Sequence, residues 1–521
     1  MRVGRALIAA SLLGAVAAPA SAQKVARSAG PQSVAVTVYR APGRGADSAM
    51  DLRWLNGFAL VTESRRVSVP AGESDIRFEG VAGGILPESA IVSGLPQGVV
   101  EKNQDAWLLS PGSLLDASLG KRVHLRRTSR ATGKVSETEA VVRSGLAGAV
   151  VIETPDGIES LRCDGLPETL RYDRVPPGLS AKPTLSVRVR SPRAARATVT
   201  LSYLASGFDW QANYVASMSP DGSKMDLFAW LTLANGDETG FREADTQAVA
   251  GRLNGGPGRR ARPQAPPLVL RCWPSGTTTS DLREQVFEKE EIVVTSSRTM
   301  DLMMPMAMAP PPPPPAPVPA MMAQQEDLGD LKLYRIPERV TVAARSQKQV
   351  ALLVRDSVKV DTVYRLEIYG NGPGVGGADP APLRVTRILT TRNDVAAGLG
   401  LPLPAGRMVL FGAGQARPIL LGRGFLGDKA VGEELEIPFG NASSVIARAV
   451  LLPGGEKKTA EWELTVTNAQ PASVRFEALL GYGGMPLSSE TALSRRDGRP
   501  LWEVTIPANG RAVLRYRVGG P

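Results

Sequence analysis

The stretch "ATVTLSYLASGFDWQANYVASM", Ala197–Met218, decides the fold class. Val199, Leu201 and Tyr203 fall on every second position. Successive side chains of a pleated strand point to opposite sides, so a period of two marks a strand with one buried face. The neighbours read the same way: "LSVRVR" begins at Leu185, and "MDLFAWLTLAN" runs from Met225 to Asn235. Trp210, Trp230 and Trp462 stand in such alternating runs, where a core or half-buried place is the simplest reading.

Working toward the N-terminus, "SVAVTVYRA" (Ser33–Ala41) alternates, and so do two runs on either side of Pro70-Ala71-Gly72. "AVVIETPDGIESLRC" reads as a hairpin turning at Pro155-Asp156-Gly157, residues suited to a tight turn. "SPGSLLDASLGKRV", from Ser110, has room for one helical turn. With 54 Gly and 42 Pro spread along the chain, short strands and turns are favoured over long helices.

The expected fold is mainly β, with several antiparallel sandwich-like domains. Residues 34–182 form a first β-unit. Residues 185–285 and 331–453 form a central unit interrupted by a disordered insert, 286–330. Residues 455–519, with "AEWELTVTNA", "SVRFEALL", "LWEVTIPA" and "RAVLRYRV", form a small C-terminal sandwich of immunoglobulin-like type.

Residues 1–22 are set apart from the fold. Arg2 and Arg5 precede an apolar run that ends at Ala20-Ser21-Ala22, the pattern of a cleavable secretory signal. The expected mature chain starts at Gln23, and its place is the periplasm or the cell exterior. Loss of Arg2 and Arg5 takes the formal charge from +10 to +8. The arginines are scattered singly, and aromatics are only 5%, which argues against nucleic acid as a partner. No later run approaches 18 uninterrupted apolar residues, so no transmembrane helix is expected. In an oxidising compartment Cys163 and Cys272 are expected to pair, although spacing alone does not bring them together.

Several stretches together resemble the bacterial family described as domain of unknown function 4139, part of a mucoidy-inhibitor-like group. They are "LSYLASGFDWQANYVASM", with Tyr203, Trp210 and Tyr214; "LFAWLTLANGDETGFREADTQAVAGRLN"; "LYRIPERVTVAARSQKQVALL", with Tyr334, Pro337, Lys348 and Gln349; and the turn Gly400–Gly406 in "GLGLPLPAGRMVLF". The resemblance spans residues 185–518. It implies a secreted β architecture, no established activity and no catalytic residues.

Catalytic tools are scarce. The lone histidine, His124, excludes His-pair zinc motifs and is most simply a strand residue without a role. "GPGVGG", Gly372–Gly377, fits GxGxxG but is followed by two prolines and a strand. A pyrophosphate cradle needs a helix start there, so a loop is expected. Glu288–Glu291 reads as a solvated charge run. No cofactor is expected.

The insert holds the remaining candidates: "EEIVVTSSRTMDLMMPMAMAPPPPPPAPVPAMMAQQ", Glu290–Gln325. Its start resembles the plug of TonB-dependent receptors, though it lies mid-chain. Ile292, Val293, Val294 and Thr295 are β-formers suited to adding a strand to a partner's sheet. Pro310–Pro315 favours polyproline II, so Ala309–Pro319 spans roughly 34 Å at about 3.1 Å per residue. Binding or scaffolding of an envelope protein or cell-surface component is the leading expectation. The alternative is Cu(I) handling by the soft thioethers of Met300, Met303, Met304, Met306 and Met308.

Overall fold

The structure, a computed structural model, describes residues 24–519 except 46, 105–107, 130–131, 145–149, 162–167, 177, 252–321, 329–330, 370–380, 413–416 and 454–458. It is mainly β, with mixed and antiparallel sheets. The decisive stretch lies in one 24-residue strand, Ala195–Met218. Its first half, Ala195–Ser206, pairs antiparallel with Gly57–Val69. Its second half, Phe208–Met218, pairs with Lys224–Asn235, and Ala212–Met218 runs parallel to Gly406–Gly412. The changeover is a bulge between Ser206 and Phe208, where Gly207 takes φ +96°. That conformation costs a residue with a Cβ, and a bulge there bends one strand enough to serve two sets of neighbours.

The large sheet runs in the order Gln324–Leu328, Leu331–Arg335, Phe241–Ala250, Pro31–Tyr39, Gly57–Val69, Ala195–Met218, Lys224–Asn235, Ser346–Lys359. A four-stranded sheet (Lys24–Arg27, Gly72–Glu79, Thr184–Ser191, Glu101–Gln104) packs on it. Ile76, Phe78, Leu185 and Val187 of the small sheet share one core with Val67, Val199, Leu201 and Tyr203 of the large one. Alternation puts these residues inside, as the period of two requires. Trp210 is wholly buried, Trp462 nearly so, and Trp230 half-buried against the edge of Phe228.

A separate five-stranded sheet spans Arg122–Arg171 and has its own core of Leu115, Val123, Leu125, Val142 and Ile152. The expected helical turn is present as Pro111–Asp116, capped by Ser110, whose hydroxyl accepts from the Ser113 amide at 3.1 Å. The expected hairpin is also present, with Thr154 opposite Gly157.

The last module packs a six-stranded sheet on a four-stranded one. Its core includes Trp462, Leu464, Phe476, Trp502 and Leu514. Tyr482 and Tyr516 share a hydrogen bond of 2.6 Å there, and burial pushes the Tyr482 phenol up to about 12.

Three expected boundaries move. Strands Pro31–Tyr39 and Gly57–Val69 lie within the large sheet, so 34–182 is not a self-contained unit. Strands Asp361–Ile368 and Val385–Arg392 pair into the C-terminal module, which therefore begins well before 455. Gln324–Leu328 is a strand at the edge of the large sheet, so ordered structure resumes before 330. The cause is common to all three. Alternation shows that a strand has a buried face but not which partner covers it.

Candidate functional site

Gly251 and Met322 are the described residues on either side of the segment 252–321, and both line cavities that share a wall. One cavity, about 240 Å³, is bounded by Tyr214, Met322, Ala323, Leu352, Leu353 and Leu401. The other, about 290 Å³, is bounded by Ala250, Gly251, Lys332, Asp428, Lys429 and Glu433. Tyr334 and Pro402-Leu403-Pro404 face both.

Each wall has a local cause. Tyr334 is on the strand Leu331–Arg335, which pairs with Phe241–Ala250 on one side and Gln324–Leu328 on the other. Its ring lies 5.5 Å from that of Trp210, and the Arg40 guanidinium stacks 4.9 Å over the other partner, Trp210 itself. Arg40 then donates to Asp428 at 2.8 Å, and Asp428 accepts from the Ala405 amide at 2.8 Å. An aromatic–cation–carboxylate series thus ties the sheet to the loop that forms the opposite wall. The Tyr214 hydroxyl donates to the Pro404 carbonyl at 2.7 Å. Burial pushes the Tyr214 phenol well above its ordinary value, so it remains a neutral donor.

Two prolines keep the loop 402–404 extended, and Leu403 exchanges backbone hydrogen bonds with Lys429 at 2.8 and 2.9 Å. Fully buried Asn393 holds the same corner. Its amide donates to the Leu401 and Ala430 carbonyls, both at 2.8 Å, and its oxygen accepts from Gly400. Two valines close in sequence to this corner are exposed, Val395 at 81% and Val431 at 53%.

On the described side, the segment's two roots are fixed to one strand. Ala250 lies opposite Lys332, and Gln324 lies opposite Arg335 on that strand's other edge. Three residues along the strand and two strand spacings across it place the roots roughly 15 Å apart. The Ala323 amide donates to the Ala351 carbonyl at 2.9 Å, which fixes the return.

The "NGD" of the resemblance has a structural use. Asp237 is buried and accepts from the Gly83 and Gly84 amides at 2.9 and 2.7 Å. Asn235 donates to Thr239 and Ala343 carbonyls. These residues join the loop after Glu79 to the large sheet rather than facing a ligand.

Ile292, Val293, Val294, Thr295, the five methionines Met300, Met303, Met304, Met306 and Met308, and Cys163 and Cys272 all lie outside the described residues. So do residues 1–22, Glu288–Glu291 and Gly372–Gly377. His124 is on the strand Arg122–Thr128, its Nε2 3.0 Å from Asp173 and its Nδ1 3.6 Å from Glu137, on the five-stranded sheet away from both cavities. Among the described residues no group of three or more His, Cys, Asp or Glu is placed to hold a metal ion. No described helix is long and apolar enough to cross a membrane. The second cavity's carboxylates are both engaged: Asp428 accepts from Arg40, and Glu433 accepts from the Ala430 amide at 2.8 Å. The sequence marked Tyr334 and Gly400–Gly406 separately, but no local signal joins residues so far apart in the chain.

No family model matches the chain, and no curated protein matches it.

Proposed function

We propose that the chain is a non-catalytic binding or scaffolding protein of the cell envelope, which holds the segment 252–321 out from a β framework toward a partner. The observation that supports this is the anchoring of both roots on the strand Leu331–Arg335, roughly 15 Å apart. A connection between parallel strands needs only a dozen or so residues. The 70 residues 252–321 far exceed that need. Their content therefore serves something other than closing the fold. Ile292–Thr295 is the docking strand in this reading, and the proline run after it supplies reach.

Export follows from the leader-like residues 1–22, with the mature chain starting at Gln23. The resemblance to the family of domain of unknown function 4139 is carried by the quoted stretches alone and adds no activity to the proposal.

The test is photo-crosslinking in intact cells from a reactive residue at Ser296, followed by identification of the captured molecule. Val293→Pro and Thr295→Pro remove backbone donors, so they should abolish the crosslink, while Val293→Ala should only weaken it. Crosslinking of the proline variants at the level of the unmodified chain would overturn the docking strand. Replacing the five methionines by leucine should leave the crosslink intact. A copper-dependent spectral change lost in that variant would favour the Cu(I) alternative instead.

A further inference from the structure

The outer face of the two-strand ladder Gly57–Val69 and Ala195–Met218 carries a second feature, unrelated to the segment's roots. Cross-strand register sets Ser68 opposite Arg196 and Arg66 opposite Thr198. The turn after Lys24–Arg27 closes over this end of the ladder, held by the Ala29 amide donating to the Arg66 carbonyl at 3.0 Å and the Ser28 amide to the Arg77 carbonyl at 2.9 Å. The result is a groove of about 710 Å³ lined by Arg27, Arg66 and Arg196, with Ser28, Ser68 and Thr198 between them.

No carboxylate lines the groove. Arg27 faces Glu79 at 3.3 Å outside it, while Arg66 reaches the Gln32 amide oxygen at 3.1 Å once that amide is oriented to accept. Arg196 forms no ion pair among the described residues. Arg66 and Arg196 stand diagonally across the ladder, with bases about 7–8 Å apart. Guanidinium groups at that spacing can both reach one ligand, and each presents a planar fork matched to two oxygens. The Ser68 and Thr198 hydroxyls lie between them on the same exposed face. Arg66 and Arg196, with no carboxylate in the groove between them, repel one another, and an anion placed between them relieves that repulsion.

We propose that this groove binds an oxyanion group, a phosphate or a carboxylate, gripped by Arg66 and Arg196 and closed over by Arg27. The charge and the hydroxyls define the chemistry of the group. The open, wet setting implies binding that weakens as salt rises.

Calorimetric titration of the full chain with inorganic phosphate and, separately, with citrate tests this at low ionic strength. Saturable binding of at least one probe is expected, with the pair of affinities telling phosphate from carboxylate. Arg66→Gln with Arg196→Gln should weaken it at least tenfold, and Arg193→Gln, an exposed arginine outside the groove, should change it less than twofold. Thr198→Val with Ser68→Ala removes hydroxyls without altering charge and should weaken binding severalfold, a readout that holds even if the double arginine variant folds poorly. No saturable binding of either probe would overturn the proposal. So would an Arg193 variant that loses as much affinity as the groove variants, since general positive charge would then account for the binding.

Discussion

Gly422 lies against Phe439 so closely that a methyl group on Gly422 would collide with the Phe439 carbonyl oxygen, and one on Gly424 would stand 2.5 Å from the Pro438 carbonyl oxygen. The strand Ile419–Leu426 can therefore lie flat on Glu434–Asn441 only because these two residues have no side chain. That second strand serves both modules. Leu435, Ile437 and Phe439 enter the first core, while Glu436 turns the other way to meet Arg365 at 2.6 Å and Arg496 at 3.1 Å. Hydrogen-bonded to Val385–Arg392, the strand thus belongs to the C-terminal module's sheet while its apolar face fills the first module's core.

Gly422→Ala should destabilise the protein by about 1–3 kcal/mol, the usual cost of overpacking a filled contact. Gly427→Ala is the control, because nothing lies within 4 Å of the added carbon. Thermal unfolding should show a lowered Tm for the first and little change for the second. Equal Tm values would mean that the two strands separate freely.

Asp237 is the acceptor for two buried amides, those of Gly83 and Gly84. Asp237→Ala leaves both donors without a partner. Each unsatisfied buried group costs about 1–3 kcal/mol, so a loss of about 2–6 kcal/mol is expected in denaturant unfolding. A change below 1 kcal/mol would show that water replaces the carboxylate at no cost.

Strand content, the C-terminal strands, the short helix and the hairpin at Pro155-Asp156 were all legible in the sequence, because each depends on residues near one another in the chain. The sheet order was not. Ala35–Tyr39 pairs with Phe58–Thr62 nearby, but also runs parallel to Asp245–Val249, two hundred residues away. No feature of "SVAVTVYRA" distinguishes the two partners. The cavity walls were hidden for the same reason: Tyr334 and Pro402–Pro404 are brought together by the stack on Trp210, the Arg40–Asp428 pair and the Tyr214–Pro404 hydrogen bond.

The C-terminal module should lose stability in acid through Glu436. The Arg365 hydrogen bond, opposed by burial, holds the Glu436 carboxyl below its ordinary value of 4.5. A depressed value in the folded state means that the unfolded chain binds the proton first as pH falls. The stabilisation is therefore complete above about pH 4.5 and declines below it, as pH passes down through the folded value. Glu436→Gln removes this group from the titration. Its Tm should fall less steeply than that of the unmodified chain between pH 5 and about pH 3. Parallel Tm–pH curves would assign the acid sensitivity to other carboxylates.

Segment 252–321 should be dispensable for folding. Its roots stand roughly 15 Å apart, and a flexible linker of about 12 Gly and Ser residues has a root-mean-square span of roughly 20 Å. Such a linker in place of residues 254–320 keeps Gly251, Met322 and the Ala323–Ala351 hydrogen bond. Closing a shorter loop also costs slightly less entropy, by well under 2 kcal/mol for this change in length. The Tm of the replaced chain should therefore stay within about 3 °C of the original, since for a protein of this size each degree corresponds to about 1 kcal/mol. The same variant should lose the crosslinks made from Ser296, because the segment that makes them is gone. A Tm lower by 6 °C or more would show that the segment packs on the framework, and it would then be a structural element rather than an arm held out to a partner.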